Sequence, residues 1–176
     1  MKTKLPLVLI ACLTLLLSSC VEDTWTRGTL NYSFLPNTGG NGYFEAGAIL
    51  YPKDISLETY TNYINYLNMI GSVVEITGDL RRGDVIRGLE IDIDGVGVYR
   101  FNPIPVYSDK ELITIADSRN NPDFYNFMYK AFDNMSRYGK HDIIVSGFLE
   151  DKFGNPVNNA PVKISFYNDL DVNIRE

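Results

Sequence analysis

The sequence has 176 residues and a net charge of −6, with 45% hydrophobic and 22% charged residues. That is the composition of one globular domain or at most two small ones, and it excludes disordered, collagen-like and disulfide-built chains. Sixteen Lys and Arg against 22 Asp and Glu leave no basic excess to meet phosphates, which argues against nucleic acid as a partner, and one His with two Cys leaves little for a zinc site or a histidine triad.

In chain order, the first element is a targeting segment. Lys2 and Lys4 make a positive start, and residues 5–17 are apolar apart from Thr14. That run covers roughly 20 Å as a helix, short of the roughly 30 Å hydrocarbon core, so it reads as the apolar region of a signal peptide. Leu17-Ser18-Ser19-Cys20 follows, and this branched apolar residue, two small residues and Cys resembles the lipobox of bacterial lipoproteins. The resemblance implies cleavage before Cys20 and lipidation of its thiol. Removal of residues 1–19, with Lys2 and Lys4, takes the chain from 176 residues to 157 and the charge from −6 to −8. Cys20 is then the only cysteine, so no disulfide and no free thiol remain. Two or more acyl chains hold a protein stably at a bilayer where one holds it only marginally. Glu22 and Asp23 are similar to the acidic export signal of Bacteroidetes-type surface lipoproteins, which implies a lipid-anchored protein of the outer membrane, exposed at the cell surface. Residues 1–19 are thus the signal peptide, 20–26 the lipidated Cys and a short tether, and 27–176 a single globular β-rich domain.

Within that domain, Leu30, Tyr32 and Phe34 alternate with polar residues, the period of a half-buried strand. Residues 36–42, rich in Gly and Asn, read as a loop, and residues 43–51 as a second strand forming a hairpin with the first. Ser56 predicts a helix cap, with Leu57, Tyr60, Ile64 and Leu67 on one face and Gly71 as the stop. Residues 72–77 are β-branched and read as a strand. Residues 88–101 carry the strongest hairpin signal, with Leu89, Ile91 and Ile93 on one face and Asp94-Gly95 as the turn. Short strands follow at 105–107 and 112–116. A second helix starts at Asn121, with Pro122 first, a stripe of Phe124, Phe127, Met128, Ala131 and Met135, and Gly139 as the stop.

Ile143, Val145 and Phe148 read as one strand, residues 150–156 as a turn, and Val162, Ile164 and Phe166 as a closing strand. The stretch VSGFLEDKFGNPVNNAPVKISF resembles the strand–turn–strand of Ig-like and carboxypeptidase-regulatory-like β-sandwiches. The fold class expected is mainly β (α+β): an antiparallel β-sandwich, Ig-like or related, with two inserted α-helices. A β-barrel with a helical lid is the alternative, although no Gly-x-Trp start of the lipocalin kind surrounds Trp25.

Residues 92–97 (DIDGVG) resemble the core of a calcium loop, with Asp92 and Asp94 as its oxygen donors, but the third and bidentate ligands are missing and a solvent-facing hairpin explains the same residues. No cofactor or metal is therefore assigned. Arg82-Gly83-Asp84 spells an integrin-recognition tripeptide inside a polar connector. Two carboxylate pairs, Glu90 with Asp92 and Glu150 with Asp151, are candidates for glycosidase chemistry only if one of them lines a cleft. His141 reads as a satisfied or exposed surface residue without a nucleophile to serve. Twelve Tyr exceed what a core needs and suit a binding face. The function expected is a non-catalytic, lipid-anchored binding or assembly module, its partners the membrane through Cys20 and an extracellular glycan or protein. A glycan hydrolase using paired carboxylates and a structural accessory of a surface complex are the alternatives.

Overall fold

The computed structural model describes residues 23–58 and 63–175, so Cys20 and the signal peptide lie outside the described residues. Ten strands and one α-helix follow in order: β1 (Asp23–Phe34), β2 (Tyr43–Leu50), β3 (Ser56–Leu57), β4 (Ile64–Gly78), β5 (Val85–Ile93), β6 (Gly97–Arg100), β7 (Ile104–Pro105), β8 (Ile113–Asp117), α1 (Pro122–Tyr138), β9 (His141–Glu150) and β10 (Val162–Arg175). One sheet runs β3-β1-β10-β4-β8 and the other β2-β9-β5-β6, with β7 beside β5. Every pairing is antiparallel. The chain is a mainly β sandwich. Its two sheets remain separate, so the barrel alternative does not hold. Leaving aside the two-residue strands, the orders β1-β10-β4-β8 and β2-β9-β5-β6 are those of a jelly roll, a relative of the Ig sandwich with eight main strands.

Strand direction sorts the connections. β1 and β4 run one way and β2, β5, β8 and β10 the other, so four loops gather at one end: 35–42, 79–84, 101–112 and 151–161. The start of β1, the β5–β6 turn and the end of α1 gather at the opposite end, called proximal here because Asp23 begins there. The core lies between the sheets. Leu89, Ile91 and Ile93 of β5 and Ile164, Phe166, Leu170 and Val172 of β10 are all buried in it, and each such side chain contributes about 1.5–3 kcal/mol.

Helix α1 forms as its sequence dictates. Asn121 Oδ1 accepts from Phe124 N at 3.0 Å, Pro122 takes the first position, and Gly139, at φ 74°, ends the helix by donating its N–H to Met135 O at 2.8 Å. Phe124, Phe127, Met128, Ala131, Phe132 and Met135 are buried. The helix covers the edge of β4 where β8 does not reach, and Leu67 N donates to Ser136 Oγ at 2.9 Å. A strand edge left open there would be a template for unwanted pairing.

The structure corrects several expectations. The helix expected from Ser56 to Gly71 is not formed: Ser56 and Leu57 pair with β1 as β3, and Ile64–Gly78 is a single strand, with residues 59–62 outside the described ones. The sandwich therefore carries one helix, not two. Register shifts in β4 opposite Asp169/Leu170 and Asn173/Ile174 leave Ile70 and Asn65 as bulged residues, so the inward positions Ile64, Leu67, Met69 and Ser72 are spaced three, two and three apart. Those steps of three imitate a helical period, whereas its β-branched and aromatic residues suit the pleat. β1 and β2 do not make a hairpin, because they belong to different sheets. Asp23–Thr26, expected as tether, are already paired with β10. Phe148 points away from Ile143 and Val145, on the exposed face of β9. β10 continues nine residues past Phe166, and its Asn168 is fully buried, accepting from Ser72 Oγ at 2.8 Å and donating to Leu30 O at 2.6 Å.

Candidate functional site

The four loops at the distal end tie one another down. Thr38 N donates to Ala160 O and Asn159 N to Thr38 O, joining the first loop to the fourth. Asp79 N donates to Pro161 O, joining the second to the fourth, and Gly83 N donates to Val106 O while Lys110 N donates to Leu80 O, joining the second to the third. Lys152 packs so near that a Cβ on Gly83 would stand 3.0 Å from its own Cβ.

Polar side chains complete the framework. Asp84 is buried, and its Oδ2 accepts from Arg81 N at 2.8 Å. Glu111 Oε2 accepts from Tyr107 N at 2.6 Å and Ser108 N at 3.1 Å. Asp151 accepts from Phe153 N, Asn155 N and Asn155 Nδ2. The Asn155 backbone and side-chain donors hold the Asp151 carboxyl below the usual carboxylate range, because its ionised form accepts them better. Against this fixed backbone stand Leu35, Tyr107, Leu112 and Phe153, one or more from three of the loops, between 61% and 76% exposed. Lys152 Nζ lies 4.9 Å from the centre of the Phe153 ring. An apolar, aromatic-bearing crown on an ordered backbone can be covered by a partner with little loss of loop entropy.

The residues singled out in the sequence fall elsewhere or serve the framework. Asp92 lies on the outer face of β5, opposite Val98 and Ile144. Asp94 opens the turn, its backbone oxygen accepting from Asn134 Nδ2 at 3.0 Å; Gly95 sits at φ 74°, where a side chain is strained. Among the described residues no three His, Cys, Asp or Glu come together to hold a metal ion. Asp84 of Arg82-Gly83-Asp84 is turned inward and so is not offered to a partner. Glu90 pairs with Arg100 at 3.2 Å and Glu150 with Arg87 at 2.6 Å, both between neighbouring strands. Neither carboxylate pair is brought across a cleft.

His141 is buried, not exposed. Its Nδ1 lies 3.4 Å from Ala131 O, its ring 6.0 Å from that of Phe132, and its Nε2 has no partner. Burial pushes its pKa down, opposed by the Ala131 carbonyl and by Asp142. A hollow of about 270 Å³ at the proximal end is lined by Asp94, Asn134, Tyr138, Lys140 and His141 among others. The tyrosines divide: Tyr32 stacks on Phe166 at 4.7 Å and Tyr99 packs on Phe124 at 5.3 Å, while Tyr63, Tyr107 and Tyr138 point to solvent. Leu35, Tyr107, Leu112 and Phe153 were not evident as a group in the sequence, where the only signal was an apolar residue flanking each turn.

No family model matches the chain, and no curated protein matches it. Among solved structures it is similar to the semi-empty virus-like particle of the giant freshwater prawn Macrobrachium rosenbergii nodavirus, at TM-score 0.44 and 9% identity over 90% of this chain and 96% of that one. It is also similar to Mud crab tombus-like virus, at TM-score 0.44 and 11% identity over 88% of this chain and 82% of that one. Turnip yellow mosaic virus follows at TM-score 0.33 and 12% identity, over 84% of this chain and 94% of that one. At that distance the likenesses assign this chain neither a partner nor an assembly.

Proposed function

We propose that the protein is a lipid-anchored, non-catalytic binding or assembly module of the outer membrane, held at Cys20 and taking an extracellular glycan or protein on its distal crown. One observation carries the reading: Leu35, Tyr107, Leu112 and Phe153 stand exposed on cross-tied loops at the end opposite Asp23. Exposed apolar side chains presented on a hydrogen-bonded backbone suit an interaction site. Of the carboxylates considered for a glycan hydrolase, Glu90 pairs with Arg100, Glu150 pairs with Arg87, and Asp151 accepts backbone N–H groups of its own turn.

The test uses the soluble form, residues 21–176, against extracellular polysaccharide and surface proteins of the source cell. Tyr107→Ala with Phe153→Ala should weaken binding about tenfold or more, at unchanged melting temperature and with only mild dependence on salt. Steady cleavage of a glycan by the purified domain, lost on changing one carboxylate, would install the hydrolase reading instead. In cells, Cys20→Ser should leave an uncut precursor or free the domain; processed Cys20→Ser protein still extracted from the membrane fraction would remove the anchor from the proposal.

A second reading rests on β2. Its eight residues pair only with β9 in an unbroken register, and they contain neither Lys nor Pro. Such an edge accepts an added strand, the geometry of an accessory in a larger complex. Glu45 lies in a non-hydrogen-bonded pair with Ser146, so its N–H faces away from β9, and Glu45→Pro would block that addition and leave crown binding intact.

A further inference from the structure

The start of β1 sets how close the domain must lie to any lipid on Cys20. Asp23 is already in register with Arg175, so only three peptide steps separate it from Cys20. Three steps span at most about 10–11 Å even when fully extended. A headgroup layer is about 5–8 Å deep on each side of the hydrocarbon. A domain tied by so short a link cannot swing free of the surface, and its proximal end faces the headgroups.

The chemistry of that end fits such a neighbour. Trp25, Tyr63 and Tyr138 are 54%, 65% and 74% exposed there, and Tyr51 follows at the end of β2. Trp25 meets Tyr66 edge to face at 6.4 Å, and Tyr66 reaches the Tyr129 hydroxyl on α1 at 3.4 Å, so the aromatic surface runs continuously from β1 to the helix. Several nearby charges are paired, Arg27 with Asp171 at 3.2 Å, Arg137 with Asp133 at 3.0 Å and Lys140 with Asp142 at 3.2 Å, while Lys53 Nζ lies 4.9 Å from the centre of the Tyr51 ring. Trp and Tyr prefer the interface because each has an apolar ring and a polar edge, which suit the two sides of the headgroup layer.

We infer that the proximal end is a membrane seat, with Trp25, Tyr51, Tyr63 and Tyr138 resting among lipid headgroups and the crown held outward along the bilayer normal. The inference rests on the lipidation of Cys20 and adds an orientation to it. Contact is made by aromatic rings rather than by basic charge, so the seat needs no anionic lipid.

Trp25 is the only tryptophan in the chain, which makes its fluorescence a direct reporter. Full-length protein is expressed in a host that processes lipoproteins, purified in detergent and reconstituted into phosphatidylcholine–phosphatidylethanolamine vesicles. Its mass first establishes whether Cys20 is acylated; an unmodified Cys20 overturns the anchor and the seat together. With acylated protein, Trp25 emission should shift to the blue, lose its quenching by aqueous iodide and gain quenching by lipids brominated near the headgroup. Unchanged iodide quenching in acylated, vesicle-bound protein overturns the seat and leaves the anchor standing. A second variant, Trp25→Phe with Phe153→Trp, carries the reporter on the crown. Its emission should stay open to iodide and blind to brominated lipid, and the reverse result would mean that the domain lies inverted on the bilayer.

Discussion

The two ends of the sandwich are held together by different means. At the distal end, Asp84, Glu111 and Asp151 accept backbone N–H groups and four loops exchange hydrogen bonds, while the apolar side chains there face water. At the proximal end order comes from burial instead: Phe132 and Met135 on the last turns of α1 are buried and His141 is enclosed with them, beside the exposed Trp25, Tyr63 and Tyr138. Polar groups therefore order the backbone at one end so that apolar groups can be displayed, whereas apolar burial orders the other. Rigidity comes from two chemistries, and each can be attacked without the other.

The largest effect should come from the proximal end. Phe132→Ala removes a fully buried ring between α1 and His141 and should cost about 3–5 kcal/mol in urea unfolding, spread over the whole domain. A loss below 1 kcal/mol would mean that the helix contributes little to the core. A smaller and local effect is expected at the crown. Asp84→Ala leaves Arg81 N without its acceptor and should cost about 1–3 kcal/mol, with faster amide exchange confined to the second and third loops. Exchange accelerated throughout the domain would show that the crown is part of the same cooperative unit as the core.

Acid separates the ends next. Burial keeps His141 neutral, with a folded pKa below its unfolded value of about 6.5, so the unfolded chain binds the proton more readily. Stability should therefore be full above that value and decline as pH falls through it toward the lower folded pKa. His141→Gln should flatten this decline. Asp151, held low by Asn155, acts at the other end and in a lower range: its contribution is present above the ordinary carboxylate value and is lost as pH falls below it. A melting profile indifferent to pH between 7 and 5 in the native protein, or an unchanged slope in His141→Gln, would break this division.

How much of this was legible depended on the range of the contacts involved. Helix α1 could be read residue by residue because its signals are local: Asn121, Pro122, the stripe at steps of three and four, and Gly139. The Asp94-Gly95 turn was readable for the same reason. β4 was not, because bulges at Asn65 and Ile70 convert a period of two into steps of three, and only its pairing with β10, about 100 residues away, reveals the strand. The separation of β1 from β2 was hidden likewise, since a loop rich in Gly and Asn suits a hairpin and a crossing between sheets equally well. The crown arises wholly from strand direction. Each of its loops was visible singly, but their meeting at one end is a property of the sheet order, to which no short stretch of residues testifies.

The pairing of β1 with β10 over twelve consecutive residues has a mechanical consequence. Asp23 and Arg175 lie at the same end, so drawing the termini apart peels the two strands and breaks the ladder bond by bond. A load entering through Asp23 and leaving through the crown pulls β1 along its own axis, and the rungs between it and β10 share that load in shear. Single-molecule pulling between residues 23 and 153 should therefore rupture at clearly higher force than pulling between residues 23 and 175, and equal forces would refute it. A domain tethered to a cell and gripped at its far end would be stressed along its strong axis, the direction in which drag on a bound partner acts.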